Sequence, residues 1–279
     1  MQIVWVAVMP ELPEVEITRR GITPHILNQT IQSIIIRAPK LRWPIPQSIA
    51  TDLPGLKVLD IERRAKYLLL KFSTGTLIIH LGMSGRLQAL STKTAPQKHD
   101  HVDFAFANGA WLRYTDPRRF GSILWTTEPP LQHKLLKDLG PEPFDAGFTS
   151  KYLFAQNKGK KIAIKKFIMD SKIVVGVGNI YASEALFAAK IDPRKATQDV
   201  SLEQCSLLVK HIKRILKLAI SQGGTTLKDF LDTSGKPGYF SQKLQVYGRD
   251  KQLCNDCNNP IQSLQIGQRN TFFCEICQI

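Results

Sequence analysis

Four cysteines near the C-terminus place the tightest constraint on how this chain can fold. Cys254 and Cys257 form one Cys-x2-Cys pair, and Cys274 and Cys277 form a second. Two such pairs at this separation are typical of a tetrahedral zinc site with four thiolate ligands, and the strand-like runs QSLQI and TFF between them predict a zinc-ribbon hairpin. The alternatives are a redox pair and an iron–sulfur site. Since the cysteines fill all four ligand positions, we expect one structural Zn2+ that need not take part in catalysis.

The charge balance points to a polyanionic partner. The 279 residues include 38 Lys and Arg against 23 Asp and Glu, a formal net charge of +15. This excess favours nucleic acid, although a basic enzyme with scattered lysines has the same composition. No apolar run reaches the roughly 18 residues that cross a bilayer, and the first eight residues lack signal-peptide features, so we expect a cytoplasmic protein and no membrane partner.

Strand patterns dominate the chain before about residue 140. Asn108-Gly109 separates two strand-like runs and predicts a hairpin with a type I′ turn. Pro13 suits the first turn of an early helix. The pattern predicts an antiparallel sandwich with a helix at its start. The β-branched or alternating runs cover residues 31–36, 56–62, 66–72 and 76–82.

Helical patterns follow a segment, GPEPFDAG at 140–147, that has the composition of a linker. Residues 179–190 predict an amphipathic helix. Ser201 and Gln204 have the spacing of a capping box ahead of a long helix, in which Cys205 is expected to be a core residue.

Three stretches allow either a binding or a structural interpretation. In YTDPRRFGS, Arg118 and Phe120 could contact phosphate and stack on a base, or could form an ordinary Asp116–arginine salt bridge beside a buried Phe. Glycines in GVGNIYASE could leave backbone amides for a phosphate at the helix start, but a lone G-x-G is a weak signal. Arg269, between the cysteine pairs, could be a solvated turn residue or could point at a phosphate or base.

Taken together, these stretches resemble the bacterial formamidopyrimidine-DNA glycosylases, the 8-oxoguanine DNA glycosylase/AP lyase family. The sister family, endonuclease VIII, shares the start and the finger but typically reads PEGPE, so PELPE favours the formamidopyrimidine branch. The resemblance runs from residue 9 to the end of the chain. It rests on the stretches PELPEVE, RRAKYLLL, HLGMSG, KHDHVD, RYTDPRRFG, VVGVGNIYASE, GGTTLKDF, GKPGYF, QVYGR and QRNTFFC.

The resemblance implies an α+β fold with damaged double-stranded DNA in a cleft and a monomer associated with the nucleoid. It implies excision of oxidised purines and strand cleavage by β,δ-elimination. An oxidised-pyrimidine glycosylase like endonuclease VIII is the alternative, as is a catalytically silent DNA-binding protein if residues 1–8 are retained. The implied divisions are an N-terminal antiparallel β-sandwich with a leading helix (9–140), a linker (141–148), a helix–two-turn–helix domain (149–244) and a four-cysteine zinc finger (245–279).

The family nucleophile is the proline that follows the initiator Met, which is Pro10 in this sequence. A proline nitrogen inside a chain is an amide, whose lone pair is delocalised, so it cannot attack a sugar. We therefore expect translation from Met9 with removal of that Met, and we expect residues 1–8 to be an extension from a misassigned start. A genuine extension that silences the enzyme, or that is clipped later, is the alternative.

The resemblance also implies roles for other residues. Glu11 would shuttle protons and help open the sugar ring, whereas Glu14 better suits a helix-start carboxylate. Lys66 would contact phosphate and donate the proton in β-elimination, and Arg269 would bind phosphate and serve δ-elimination. The residues implied to contact DNA, fill the gap of the everted nucleotide or cover the flipped base are Met83, His99, Arg118, Phe120, Lys160, Asn179 and Lys228.

Overall fold

The computed structural model describes residues 10–225 and 240–279, and these form two compact units. Residues 10–137 and 223–225 belong to the first unit, and residues 138–222 and 240–279 to the second. The predicted α+β class is confirmed. Within the described residues, no helix is long and apolar enough to cross a membrane.

The first unit is built from two four-stranded antiparallel sheets, one in the order β1-β6-β7-β5 and the other in the order β2-β3-β4-β8. Its strands and helices are α1 (Leu12–Ile26), β1 (Ile31–Ile36), α2 (Ile49–Asp52), β2 (Asp60–Arg64), β3 (Tyr67–Phe72), β4 (Gly75–His80), β5 (Arg86–Leu90), β6 (Asp100–Phe106), β7 (Trp111–Thr115) and β8 (Ser122–Thr126).

A single apolar core joins both sheets to α1. Val15, Ile22 and Ile26 of α1 are buried with Leu70 of one sheet and Phe104 of the other. Strands rich in β-branched and aromatic residues can form such a core, because successive side chains alternate between the two faces of each sheet.

An ionic cluster fixes α1 on strand β2. Glu16 accepts hydrogen bonds from Arg20 on its own helix (2.8 Å) and from Arg63 on β2 (3.3 Å). Arg19 donates to Glu16 (2.9 Å) and also to the carbonyl of Ile61 (3.3 Å). The cluster therefore determines where the first residues of α1 lie.

Three of the four predicted strands differ in their limits from the structure, and one turn differs in type. The strand expected at 76–82 runs over Gly75–His80. The strand expected at 56–62 runs over Asp60–Arg64, and the one expected at 66–72 begins at Tyr67 because Ala65 and Lys66 form a tight turn with Ala65 at φ +55°. The Asn108-Gly109 hairpin is present, but the turn is not type I′, because only Gly109 has a positive φ (+84°). Its N–H donates to the carbonyl of Phe106 (3.0 Å), the pattern of a type I turn closed by a left-handed residue.

The second unit combines four helices with a two-stranded hairpin. The Ser201–Gln204 capping box is confirmed, with reciprocal bonds of 3.1 and 3.2 Å. Residues 140–147 pack within this unit: Gly140 donates to the carbonyl of Ser171 (2.8 Å). The domain limits given above stay predictions. The elements are α3 (Ser150–Asn157), α4 (Ile164–Ile168), α5 (Asn179–Ala188), α6 (Leu202–Ser221), β9 (Gln262–Ile266) and β10 (Arg269–Phe273).

The prediction of an amphipathic α5 is wrong, because the helix is buried all round. Every residue from Ile180 to Phe187 is buried, and the helix contacts α4, α6 and β10. Even Glu184 lies inside, where it accepts backbone N–H bonds from Gln245, Val246 and Tyr247 at 2.9–3.0 Å. The helix is thus a central element rather than a surface one.

Candidate catalytic site and nucleic-acid interface

The Pro10–Glu11 pair is buried directly ahead of α1. Glu11 caps the helix, and its N–H donates to Oε2 of Glu14 (2.9 Å), so the prediction that Glu14 is the helix-start carboxylate is confirmed. Oε1 of Glu14 accepts the N–H of Thr225 (2.9 Å). Gly224 leaves little room, since a Cβ there would lie 3.1 Å from the same oxygen. One carboxylate therefore holds both the Pro10–Glu11 peptide and residues 224–225.

Lys66 lies in the β2–β3 turn beside a histidine that sequence reasoning missed. Register places Tyr67, its neighbour, opposite His80 at the end of β4. Burial and, to a smaller extent, the nearby charges of Lys66 and Arg42 lower the pKa of His80 to about 4. The N–H of Gly82 donates to Nδ1 of His80 (2.9 Å), so the ring is neutral with its proton on Nε2.

Lys66, Arg42 and His80 form an electropositive patch in which the neutral His80 adds one more hydrogen-bond donor. Such a patch is suited to a phosphate group. The signal that could have found His80 is the histidine that opens HLGMSG, placed where a strand ends.

Two connections run side by side where the chain crosses between the sheets. Residues 81–85 join β4 to β5, and residues 116–121 join β7 to β8. Because β4 pairs with β8 and β5 with β7, both crossings occur at the same corner. The backbones meet closely: a Cβ on Gly82 would lie 2.4 Å from the nitrogen of Gly121. The corner thus brings the predicted residues Met83, Arg118 and Phe120 onto adjacent loops.

Arg118 and Phe120 face outward at this corner. Phe120 is 46% exposed, and the Arg118 guanidinium lies 4.9 Å from its ring centroid. The structural alternative, a buried Phe beside an Asp116–arginine salt bridge, is wrong. The Asp116 carboxylate is fully buried and accepts from Ser84 (2.7 Å) and from the N–H of Gly121 (2.8 Å).

His99 lies next to the same corner, where its carbonyl accepts the N–H of Asp116 (3.0 Å). Lys160 lies elsewhere, on an exposed turn after α3 in the second unit. Lys228 lies outside the described residues, as do residues 1–9.

In the second unit, Asn179 and Arg269 are brought together through β10. Nδ2 of Asn179, the first residue of α5, donates to the carbonyl of Asn270 (3.0 Å). That carbonyl also accepts from Nζ of the buried Lys165 (3.3 Å), which donates to Thr271 Oγ1 at 2.9 Å. Arg269 is not in the loop, as its position suggested, but is the exposed first residue of β10.

Sequence reasoning missed Lys165 and Tyr247 here. Lys165 interrupts the apolar run IAIKKFI, which was the available signal. The hydroxyl of Tyr247 lies 3.5 Å from Nδ2 of Asn179, and its ring packs edge-on against Phe272. These contacts from α4, α5 and the 240–249 segment hold the strand that presents Arg269.

The four predicted cysteines converge at the base of the β9–β10 hairpin. Their Sγ atoms all lie within 4.8 Å of one another, with Cys254–Cys277 at 3.9 Å and Cys257–Cys274 at 3.4 Å. A tetrahedron with Zn–S bonds of about 2.3 Å has S···S edges of roughly 3.8 Å. These separations are far longer than a disulfide bond of about 2.05 Å, so the cluster fits one metal ion.

Fold and site together define a class of protein in which a β-sandwich accompanies a helical unit with a four-cysteine finger. The model of the formamidopyrimidine-DNA glycosylase N-terminal domain matches residues 9–123, and that of the formamidopyrimidine-DNA glycosylase H2TH domain matches residues 139–231. The chain is 55% identical over 270 residues to formamidopyrimidine-DNA glycosylase from Photobacterium profundum and 56% identical over 270 residues to that from Vibrio vulnificus strain YJ016. Each alignment spans 97% of this chain and 100% of the relative.

Solved structures agree with these relatives. The MutM (Fpg) protein from Thermus thermophilus is 33% identical with a TM-score of 0.86, covering 96% of this chain and 98% of that one. Lactococcus lactis Fpg in complex with abasic-site DNA is 33% identical with a TM-score of 0.88, covering 96% and 99%. The chain belongs to the formamidopyrimidine-DNA glycosylase family.

Proposed function

We propose that this chain is a base-excision repair enzyme that removes oxidised purines, 8-oxoguanine and formamidopyrimidines, from duplex DNA and then cleaves the strand. The observation that carries the proposal is the 55–56% identity with curated formamidopyrimidine-DNA glycosylases along their whole length. Related proteins have been solved with DNA containing Fapy-dG and carbocyclic 8-oxo-G. The net charge of +15 suits a DNA partner.

The proposed nucleophile is the secondary amine of Pro10 at a mature N-terminus. The amine bonds to C1′ as the C1′–N bond breaks, and the base leaves with that electron pair and a proton. The nitrogen loses its proton, the C1′–O4′ bond then breaks with transfer of a proton to O4′, and an iminium is left at C1′. The iminium acidifies the C–H at C2′, and loss of that proton expels the 3′ phosphate in the β-elimination. An amide nitrogen cannot start this sequence, so the active form must begin at Pro10. The family match beginning at residue 9 supports this start.

Neighbouring groups are proposed to move protons and hold phosphate. Glu11, buried beside Pro10, transfers protons and assists opening of the sugar ring. Lys66 binds phosphate and donates the proton in β-elimination, and the neutral His80 beside it supplies a second donor. Arg269 at the start of β10 binds phosphate and serves δ-elimination.

The remaining predicted residues would bind DNA outside the reacting centre. Met83, Arg118 and Phe120 lie on the loops where β4 and β7 leave their sheets, a suitable place for side chains that fill the gap left by an everted nucleotide. His99 adjoins this corner. Asn179, Lys160 and Lys228 are proposed phosphate or base-loop contacts, and a monomer is proposed as the binding unit.

One structural Zn2+ is proposed to occupy the cluster of Cys254, Cys257, Cys274 and Cys277. The sulfur separations fit tetrahedral thiolate coordination, and four protein ligands leave no open position for substrate. The ion would crosslink the base of the hairpin, and the cysteines would hold β9 and β10 so that Arg269 keeps its place.

Oxidised pyrimidines are a second candidate substrate class. The observation that favours them is that Lactococcus lactis Fpg has been solved in complex with DNA containing an oxidised pyrimidine. Excision from 8-oxoguanine:C and thymine glycol duplexes, measured side by side, ranks the two classes.

Borohydride trapping tests the nucleophile. A chain that begins at Pro10 is compared with one that keeps residues 1–9, using 8-oxoguanine:C and abasic duplexes. We expect a covalent DNA adduct from the first chain only. In parallel reactions without borohydride, we expect the same chain to release 8-oxoguanine and to leave β,δ-cleaved strands. The N-terminus of each sample is verified by mass spectrometry. An equal yield of adduct from a chain with intact residues 1–9 contradicts the assignment of Pro10, and no excision by either chain contradicts the glycosylase function.

A further inference from the structure

We propose that Ser84 and Asp116 are positioning residues that set the gap-filling corner, by locking the 81–85 and 116–121 connections together. This inference rests on the proposed function for its catalytic consequence. Its structural content, a buried hydrogen-bond lock between two loops of the first unit, stands on contacts within that unit alone.

Asp116 is the centre of the lock. Its carboxylate is fully buried, with Oδ1 accepting from the Ser84 hydroxyl (2.7 Å) and Oδ2 accepting the N–H of Gly121 (2.8 Å) and the Tyr114 hydroxyl (3.4 Å). Its backbone carbonyl lies 2.8 Å from Nε2 of His101. Both carboxylate oxygens are therefore satisfied, one by each connection.

Ser84 links its own connection, 81–85, to the 116–121 connection. Its hydroxyl donates to Asp116 and accepts the N–H of Arg118 (3.1 Å). Ser84 adjoins Met83 in sequence, and Gly121, the other residue held by Asp116, adjoins Phe120. The lock thus fixes the backbone at or next to each of the three gap-filling side chains.

The lock explains how an exposed aromatic residue can be held outward. Phe120 is 46% exposed, so packing holds its ring only in part, and the contacts of the backbone beside it help set its position. Backbone contact between the loops restricts movement of Phe120, because a Cβ on Gly82 would lie 2.5 Å from the Phe120 carbonyl carbon. Tyr114 also fills the corner, since a Cβ on Gly121 would lie 1.8 Å from the Tyr114 hydroxyl. That hydroxyl also donates to the carbonyl of His80 (3.2 Å), so the lock reaches the patch beside Lys66.

The test compares Ser84→Ala with Ser122→Ala in the chain that begins at Pro10. Ser122 is a matched control, because it is also buried, adjoins the same corner and has a hydroxyl with no hydrogen-bond partner within the described structure. Amide hydrogen exchange of residues 118–121 measures the stability of the lock without reference to activity. The ratio of 8-oxoguanine excision to borohydride trapping on abasic DNA measures the catalytic consequence of the lock. Asp116→Asn is the second variant, in case Ser84→Ala lowers the yield of folded protein.

We expect Ser84→Ala to speed exchange in residues 118–121 by about tenfold or more, because it removes both hydrogen bonds of the Ser84 hydroxyl, and Ser122→Ala to leave it unchanged. The ratio of excision to trapping is expected to fall about tenfold for Ser84→Ala, because a displaced corner impairs base eversion more than chemistry at an exposed sugar. Unchanged exchange in both Ser84→Ala and Asp116→Asn overturns the lock. Faster exchange with an unchanged ratio overturns its role in positioning. Absence of excision and trapping in the unmodified chain instead contradicts the proposed function.

Discussion

Replacing Glu16 with Gln should loosen the attachment of α1, the helix that begins beside the proposed nucleophile. The Glu16 carboxylate forms ion pairs with Arg19, Arg20 and Arg63, and Arg63 belongs to β2. Burial raises the pKa of Glu16, but these arginines outweigh burial and bring the pKa down to about 2 from its usual 4.5. A neutral amide at this position would leave three guanidinium groups without the negative charge that pairs with them.

The size of the effect follows from the pKa. A folded-state pKa below the unfolded value means that the carboxylate stabilises the fold above about pH 4.5, and that this stability is lost as the pH falls toward 2. A difference of roughly 2.5 pKa units corresponds to about 3 kcal/mol. We therefore expect Glu16→Gln to lower the free energy of unfolding of the first unit by about 3 kcal/mol at pH 7, and by little at pH 2.

Tryptophan fluorescence during urea unfolding measures this quantity. In the chain that begins at Pro10, all tryptophans lie in the first unit, at Trp43, Trp111 and Trp125, so the signal reports that unit. The expected result is a lower urea midpoint at pH 7 and a flatter dependence of stability on pH between 4.5 and 2 than in the unsubstituted chain.

Glu62→Gln is the matched control, because it makes the same chemical change on β2, the strand whose Arg63 contacts Glu16. Glu62 pairs with Lys71 at the surface, where its side chain is 47% exposed, and such pairs contribute about 1 kcal/mol or less. Equal stability of Glu16→Gln and Glu62→Gln at pH 7 refutes the reasoning, since the buried cluster would then contribute no more than a surface pair.

Three further outcomes are expected. Phe120→Ala should weaken binding to 8-oxoguanine:C duplexes by about tenfold, since a stacking contact is lost, but should leave Schiff-base trapping on abasic DNA largely intact; equal loss of both contradicts the wedge role. Cys257→Ser should lose the bound zinc and the DNA affinity together, as measured by metal analysis and DNA titration; retained zinc contradicts the ligand set. His80→Gln should flatten the fall in stability between pH 6.5 and 4. The pKa of about 4 means that protonation of this ring opposes folding in that range. An unchanged profile of the urea midpoint against pH contradicts the buried neutral ring.

The cysteine cluster and the α6 capping box could be predicted because their determinants are local. Cys254 and Cys257 are close in sequence, as are Ser201 and Gln204, and each motif has few ways to form. The Asn108-Gly109 hairpin was predictable on the same ground, although the turn type was not, because the left-handed conformation falls on Gly109 alone. The local sequence thus predicts the positions of these motifs better than it predicts their detailed geometry.

Contacts between distant stretches could not be predicted in this way. The proximity of Lys66 to His80 depends on the register of β3 against β4, in which Tyr67 lies opposite His80. The complete burial of α5 depends on neighbours that residues 179–190 do not encode, since the pattern of a half-buried helix and that of a fully buried one overlap. Lys165 was overlooked because its partners lie more than 100 positions away along the chain, on β10.

The corner of the first unit has a further consequence for how base eversion and phosphate binding depend on each other. His80 and Met83 lie on one short connection, and Tyr114 contacts both the carbonyl of His80 and the carboxylate of Asp116. Met83, which is proposed to enter the base stack, is therefore carried by the same stretch of backbone as the histidine beside Lys66. Because the loops are in van der Waals contact at Gly82, neither can move far alone. In the proposed function, insertion of the gap-filling residues therefore depends on the same backbone that positions the proposed phosphate-binding patch.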